Sequence, residues 1–292
     1  MSMQIFGRID SKAQFDRYLN AGIPAVIEGV VEGWKAYKLW DLDYLTDVFK
    51  DREPFELGGF TFTFAQFADE LASSDNPQLF LPQLGIGSDH GVATVSELAP
   101  DVEYPDLLDA SNFDEVNIWI GQGTTPAHFD AYDNLLAVIR GQKLIRLYDP
   151  KWLPNMHVDR YQWSQAFAPG ADRQSFPGAS DVPSPHEITL HEGEMLYIPP
   201  FWFHEVSVPS GYAITLNYWY HQQHGIASSG ARGRVENFLR VLLDEVLDLN
   251  PVERTYIGRR LIDIAQQLER RPDVKRPALS WSSRGEQNPY RF

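Results

Sequence analysis

Apolar positions along the chain follow three successive rhythms. In the first third they recur mainly at helical spacing. Phe15, Tyr18 and Leu19 predict a helix through KAQFDRYLN, with Ser11 placed to cap it and Gly22 to end it. Leu42, Leu45 and Val48 predict a second helix over Asp41 to Lys50, and Phe64 to Leu71 a third. Between them PAVIEGVV reads as a short buried strand, PFELGGFTF as a hairpin around Gly58-Gly59, and QLFLPQLG as an apolar strand broken by Pro82.

From Glu115 the period becomes two. Val116, Ile118 and Ile120 alternate with polar or aromatic partners. Leu135 to Ile139 and Leu144 to Tyr148 flank Arg140-Gly141-Gln142, which reads as a hairpin tip. Glu187 to Leu190, Met195 to Ile198, Glu205 to Val208 and Ala213 to Tyr220 continue the series, with Gly193 at a tight turn. Many short strands of this kind predict a mainly β protein, a double-stranded β-helix or jelly-roll barrel. Two long polar stretches interrupt it: Gly85 to Asp114, read as a loop over the barrel mouth, and Lys151 to Pro185, rich in Trp, Pro and Ser. After His224 the pattern changes again. GIASSGARGR reads as a flexible link. Val235 to Leu249 and Val252 to Leu268 then read as two amphipathic helices separated by Pro251. The expected organisation is a barrel with an amino-terminal α/β lead-in over residues 1–224 and a helical segment over 225–292.

Composition narrows the options. Hydrophobic residues make up 43% of the 292, enough for a substantial core. No apolar run reaches the eighteen residues that suggest a membrane span, and the first residues lack the layout of a signal peptide, so the expected location is the cytoplasm. The chain has no cysteine, which removes disulfides and thiolate zinc sites. A net charge of −15 argues against nucleic acid as substrate, because binding phosphates needs a cationic surface. A neutral or basic peptide, or a small molecule, suits that field better.

The chemistry concentrates between Thr124 and Pro150. His128 and Asp130 stand two apart, which on a strand puts both side chains on one face. His204, in PPFWFHEV, is the best third partner. Two imidazoles and a carboxylate on one side of a metal, with open positions opposite, are the ligand set of non-haem Fe(II) oxygenases. Lys143 begins a strand whose alternate residues, Ile145 and Leu147, are apolar. A lysine sharing that face calls for an anionic partner, and a dicarboxylate would serve. Asn217 shares strand parity with Thr215 and Trp219.

With their flanking words, TPAHFD, NLLAVIRGQK, IPPFWFHEV and ITLNYWY resemble the JmjC-type cupins, the Fe(II)- and 2-oxoglutarate-dependent oxygenases, and among them the small hydroxylase branch. The resemblance covers about Asn117 to Tyr220. It implies Fe(II), 2-oxoglutarate and O2 as cofactors, with metal ligands His128, Asp130 and His204. It implies that Lys143, fifteen residues past the first histidine, and Thr125 hold the distal carboxylate of 2-oxoglutarate. It places Asn134 and Asn217 near cosubstrate and iron and Trp219 on the pocket wall; Tyr132, close after the ligand pair, is a further pocket candidate, with Trp152, Trp163 and Trp202 at the entrance. Many relatives supply a tyrosine hydroxyl to the cosubstrate from the strand before the mouth loop, where this chain offers Phe80. Relatives also dimerise through carboxy-terminal helices, which implies a homodimer. The resemblance implies hydroxylation of an unactivated C–H bond in a peptide, protein or small molecule. The alternatives are a cupin metalloenzyme that does not use 2-oxoglutarate, for which Lys143 has no purpose, and a non-catalytic cupin binding protein.

Overall fold

The computed structural model describes residues 5–73, 79–86, 93–109, 113–130, 132–158, 163–220, 246 and 251–269. The chain divides into two compact units, Met1–Asn237 and Phe238–Phe292.

The first unit is built on two sheets. The larger contains β1 (Gly7–Ile9), β2 (Ala25–Ile27), β5 (Leu79–Gly85), β6 (Ala93–Thr94), β7 (Phe113–Gln122), β9 (Asp133–Arg140), β12 (Met195–Ile198) and β14 (Ala213–Tyr220), in the order β1-β2-β12-β9-β14-β7-β5-β6. The smaller contains β8 (Thr124–His128), β10 (Gln142–Tyr148), β11 (His186–His191) and β13 (Phe203–Ser207), in the order β11-β10-β13-β8. A separate hairpin pairs β3 (Phe55–Leu57) with β4 (Phe60–Phe62), as the Gly58-Gly59 turn predicts. The helices are α1 (Lys12–Ala21), α2 (Lys35–Leu39), α3 (Leu42–Val48) and α4 (Phe64–Ser73).

Strand parity sets the layers. On the larger sheet one set of residues, among them Ile118, Leu135, Ala137, Met195, Leu216 and Tyr218, packs against the amino-terminal helices. The alternate set, Leu136, Val138, Leu196 and Ile198, meets Ile145, Leu147, Leu190 and Val206 from the smaller sheet. Two sheets face each other across this inner core, as a jelly roll requires. The mainly β expectation therefore holds, and the helices cover the outside of the larger sheet.

Several local expectations change. Gly141 is not the tip of a hairpin: β9 pairs with β12 and β14, while β10 pairs with β11 and β13. The turn is a corner that carries the chain from one sheet to the other, and Gly141 takes it at φ 75°. Pro82 does not break its strand. β5 runs through it with a register shift between Leu81 and Leu84, and Gln83 sits there at φ 46°. Ser11 stands at the start of α1 without a side-chain cap, whereas Asp41 caps α3 by accepting from the Tyr44 N–H. The short helix α2 was hidden by its length.

The stretch expected to lie over the mouth is, where described, packed elsewhere. β6 joins the sheet edge beside β5, and Val95, Leu98 and Leu107 are buried in the helix-side core. Asp101 pins this segment from within, accepting from the Trp40 indole (3.1 Å) and the Tyr44 hydroxyl (2.6 Å) and pairing with Lys35. The loop from Lys151 to Pro185 has a small core of its own, in which Met156, Ala166, Phe167, Ala179 and Val182 pack on Ala127, Phe129, Tyr148 and Phe203.

In the second unit Pro251–Glu269 is helical, matching the second predicted helix, and Val252, Tyr256, Leu261, Ile262 and Ile264 on it are exposed. The expected link over 225–234 lies outside the described residues, as does the helix expected over Val235 to Leu249 except for Val246, which is helical. No helix among the described residues is long and apolar enough to cross a membrane.

Candidate active site

His128 closes β8 and His204 is the second residue of β13; the two are direct partners in the antiparallel pairing. Their rings stand 4.1 Å apart, centre to centre. The Nδ1 of His128 lies 2.8 Å from the Pro126 carbonyl oxygen and that of His204 lies 2.9 Å from the Trp202 carbonyl oxygen. Each carbonyl accepts a proton held on Nδ1, which leaves the Nε2 lone pair of each ring for another partner. Burial, then the neighbouring His128, pushes His204 down to about 4, so it is neutral at physiological pH.

Asp130 lies beyond the end of β8 and not on it, so strand parity is not what brings it to the histidines. Its backbone carbonyl accepts from the Phe201 N–H at 2.9 Å, and Phe201 itself takes a left-handed turn, φ 66°. The carboxylate Oδ2 then stands 3.7 Å from Nε2 of His204. One donor atom from each of His128, Asp130 and His204 falls within 4.8 Å of the others.

These three residues rim a cavity of about 380 Å³, counting the space at its mouth. Thr125, Asn134, Leu136, Lys143, Val206, Asn217, Trp119 and Trp219 complete the lining. A bulge explains Thr125. His204 pairs with His128 and Val206 with Thr125, so β8 carries one extra residue between its two contacts. That extra residue puts Thr125 and His128, three apart in sequence, on the same wall. Asn217 donates from Nδ2 to Oδ1 of Asn134 at 3.1 Å across neighbouring strands. Lys143 faces inward, and burial pushes its ammonium down to about 8. A smaller space adjoins, bounded by Phe80, Trp119, Gly121, Gly123, Thr125, Lys143, Val206 and Val208.

The geometry thus gathers His128, Asp130, His204, Thr125, Lys143, Asn134, Asn217 and Trp219 around one cavity. Tyr132 is half-buried and is not part of its lining. Trp202 is no entrance residue: it is 5% exposed and packs in the inner core, and its indole donates to the Gly22 carbonyl at the end of α1. Trp152 packs on the small core beneath the long loop. Trp163, also from that loop, does reach the site, with its ring 4.7 Å from that of His128 and its backbone bridged to the end of β8. Trp119 was missed, although its parity with Asn117, opposite Ile118 and Ile120, marks it as inward-facing.

A jelly roll that brings two histidines and an aspartate together at the rim of one cavity has the arrangement in which a cupin could hold a metal ion. The donor set fits a divalent first-row metal with open positions, and the inward ammonium fits a diacid beside it. The cupin-like domain family matches residues 56–226, and this chain belongs to it. Similar proteins include lysine-specific demethylase JMJ32 of Arabidopsis thaliana, 27% identical over 80% of this chain and 84% of its own length. Lysine-specific demethylase 8 of Xenopus tropicalis is 32% identical over 65% of this chain and 46% of its own. Lysine-specific demethylase JMJ30 of Arabidopsis thaliana is 30% identical over 73% of this chain and 53% of its own. The chain therefore spans most of the first relative and about half of the other two. The JmjC cofactor set is Fe(II), 2-oxoglutarate and O2, as the resemblance in sequence implies.

Proposed function

We propose that this chain is an Fe(II)- and 2-oxoglutarate-dependent oxygenase that hydroxylates a C–H bond in a peptide or protein side chain. One observation carries the reading: three metal-type donors within 4.8 Å of one another share a cavity with an inward-facing lysine. When bound, the iron and cosubstrate would couple decarboxylation of 2-oxoglutarate, to succinate and CO2, to insertion of one atom of O2 into the C–H bond.

The protein supplies position. His128, Asp130 and His204 would hold the metal from one side, their rings oriented by the Pro126 and Trp202 carbonyls. Lys143 and Thr125 would grip the far carboxylate of 2-oxoglutarate deeper in the cavity. The Asn134–Asn217 pair and Trp219 would wall the space between. Trp163, partly exposed over His128, would meet the incoming substrate. The net charge of −15 favours a basic or neutral peptide over nucleic acid. A homodimer through the carboxy-terminal helices belongs to the same reading, and sedimentation velocity tests it.

The names of the relatives favour a second reading, lysine demethylation, which begins with the same hydrogen abstraction. Mass spectrometry of candidate peptides separates the two. Hydroxylation adds one oxygen; demethylation removes a methyl group and releases formaldehyde. Iron-loaded protein that neither binds 2-oxoglutarate nor forms succinate with any peptide would point instead to a cupin that does not use this cosubstrate.

A further inference from the structure

We infer that Trp119 is a binding residue for the distal carboxylate of 2-oxoglutarate, its indole N–H donating beside Lys143 and Thr125. The inference rests on the cosubstrate reading above.

An indole N–H can only donate, and a buried donor normally has an acceptor. Trp119 Nε1 is sealed from solvent and has no acceptor among the described residues. Trp219 Nε1 is in the same condition, so the two must be told apart. Both indoles line the main cavity, but only Trp119 also bounds the smaller adjoining space, together with Thr125 and Lys143. The cross-strand pairing separates them along the barrel. Trp219 lies level with Asn134, and Trp119 lies level with Thr215, four residues earlier on β14. Trp119 is thus the indole at the diacid end.

The ring is also held. It stacks on Phe80 at 6.4 Å with the planes 12° apart. Phe80 in turn sits close against two glycines: a Cβ at Gly123 would meet its ring at 2.5 Å, and one at Gly121 would meet its Cα at 2.6 Å. Phe80, the residue of β5 among the described lining of this space, carries no hydroxyl to donate. A carboxylate offers more lone pairs than one ammonium and one threonine hydroxyl occupy. A fixed indole N–H on the remaining wall supplies the missing donor without a tyrosine.

The test uses full-length protein loaded with Mn(II) and calorimetric titration of two ligands. 2-Oxopentanoate shares the keto-acid head of 2-oxoglutarate but ends in a methyl group. Trp119→Phe should weaken 2-oxoglutarate about tenfold, the effect of losing one hydrogen bond to a charged group, and leave 2-oxopentanoate unchanged. Equal loss for both ligands, or no loss for 2-oxoglutarate, overturns the assignment while the cosubstrate reading stands. Wild-type protein that fails to bind 2-oxoglutarate overturns both. Should the variant not fold, nitrogen-15 spectra of the Zn(II)-loaded wild type decide. The Trp119 indole proton should move downfield on adding 2-oxoglutarate and stay in place with 2-oxopentanoate; an unmoved signal with both overturns the inference.

Discussion

His128 and His204 are partners across the β8–β13 pairing, and each fixes its ring by the same device, an Nδ1 contact to the carbonyl two residues earlier. The symmetry presents two Nε2 atoms to one point, with Asp130 closing the third side. Removing any one donor leaves a two-point site. His128→Ala, Asp130→Ala and His204→Ala should each lower Fe(II) or Co(II) affinity by at least about 100-fold, since even second-layer changes cost 10–100-fold. Metal titration followed by dialysis checks this. A variant that retains one tightly bound metal per chain would remove that residue from the ligand set.

Lys143 faces the same cavity with its ammonium held down to about 8 by burial. Its folded value is below the ordinary lysine value, so the folded state disfavours the charge. The penalty is present in full below about pH 8 and disappears as pH rises toward the unfolded value of about 10.4. Stability should therefore climb across that window in the wild type and not in Lys143→Met. At pH 7 the Met variant should unfold at a higher temperature while losing 2-oxoglutarate affinity. In the wild type that affinity should fall as pH passes about 8, because the free ammonium deprotonates. Thermal melts and titrations at pH 7 and 9 provide both readings.

What the sequence revealed and what it hid follow one physical line. Alternation over Val116 to Ile120 and Ala213 to Tyr220 was legible because a strand with two unlike faces writes its period directly. The spacing of His128, Asp130 and Lys143, with the words around His204, pointed to residues that do meet in one cavity. The errors came where one residue alters the path. The bulge in β8 and the corner at Gly141 each depend on partner strands remote in sequence. Asp130 reaches the site through a contact to Phe201, seventy-one positions away, and not through strand parity. Trp163 comes from a loop whose text has no period at all.

Asp101 is buried at 4% exposure and ties the segment after β6 to the helical layer. Burial works to raise its carboxyl, and the bonds from Lys35, Tyr44 and Trp40 outweigh that and hold it below the ordinary value. The same carboxylate pushes the Tyr44 hydroxyl up to about 12. Asp101→Ala should cost about 3 kcal/mol, because it strands an indole and a phenol donor. Asp101→Asn should cost less. The carboxylate's contribution is present above its unfolded value and is lost as pH falls through the depressed folded value. Below about pH 4 the gap between wild type and Asp101→Asn should therefore narrow. Urea unfolding at pH 7 and pH 3 measures it.

Gly141 and Gly170 share nearly the same backbone, at φ 75° and 78°, but not the same surroundings. A Cβ at Gly141 would sit 2.2 Å from the Tyr212 carbonyl oxygen, whereas one at Gly170 meets nothing within 4 Å. The Tyr212 carbonyl is backbone next to β14, so it can yield only by moving the strand that carries Asn217 and Trp219. Gly170→Ala should therefore lose only the left-handed penalty, about 1–2 kcal/mol. Gly141→Ala should lose that plus a steric cost, about 3 kcal/mol or more in all. Its metal affinity should fall as well, because the corner sets how the smaller sheet, bearing His128 and His204, meets the larger. Paired urea melts and metal titrations on the two variants decide the point; equal losses would mean that the corner is slack and the barrel end is positioned by other contacts.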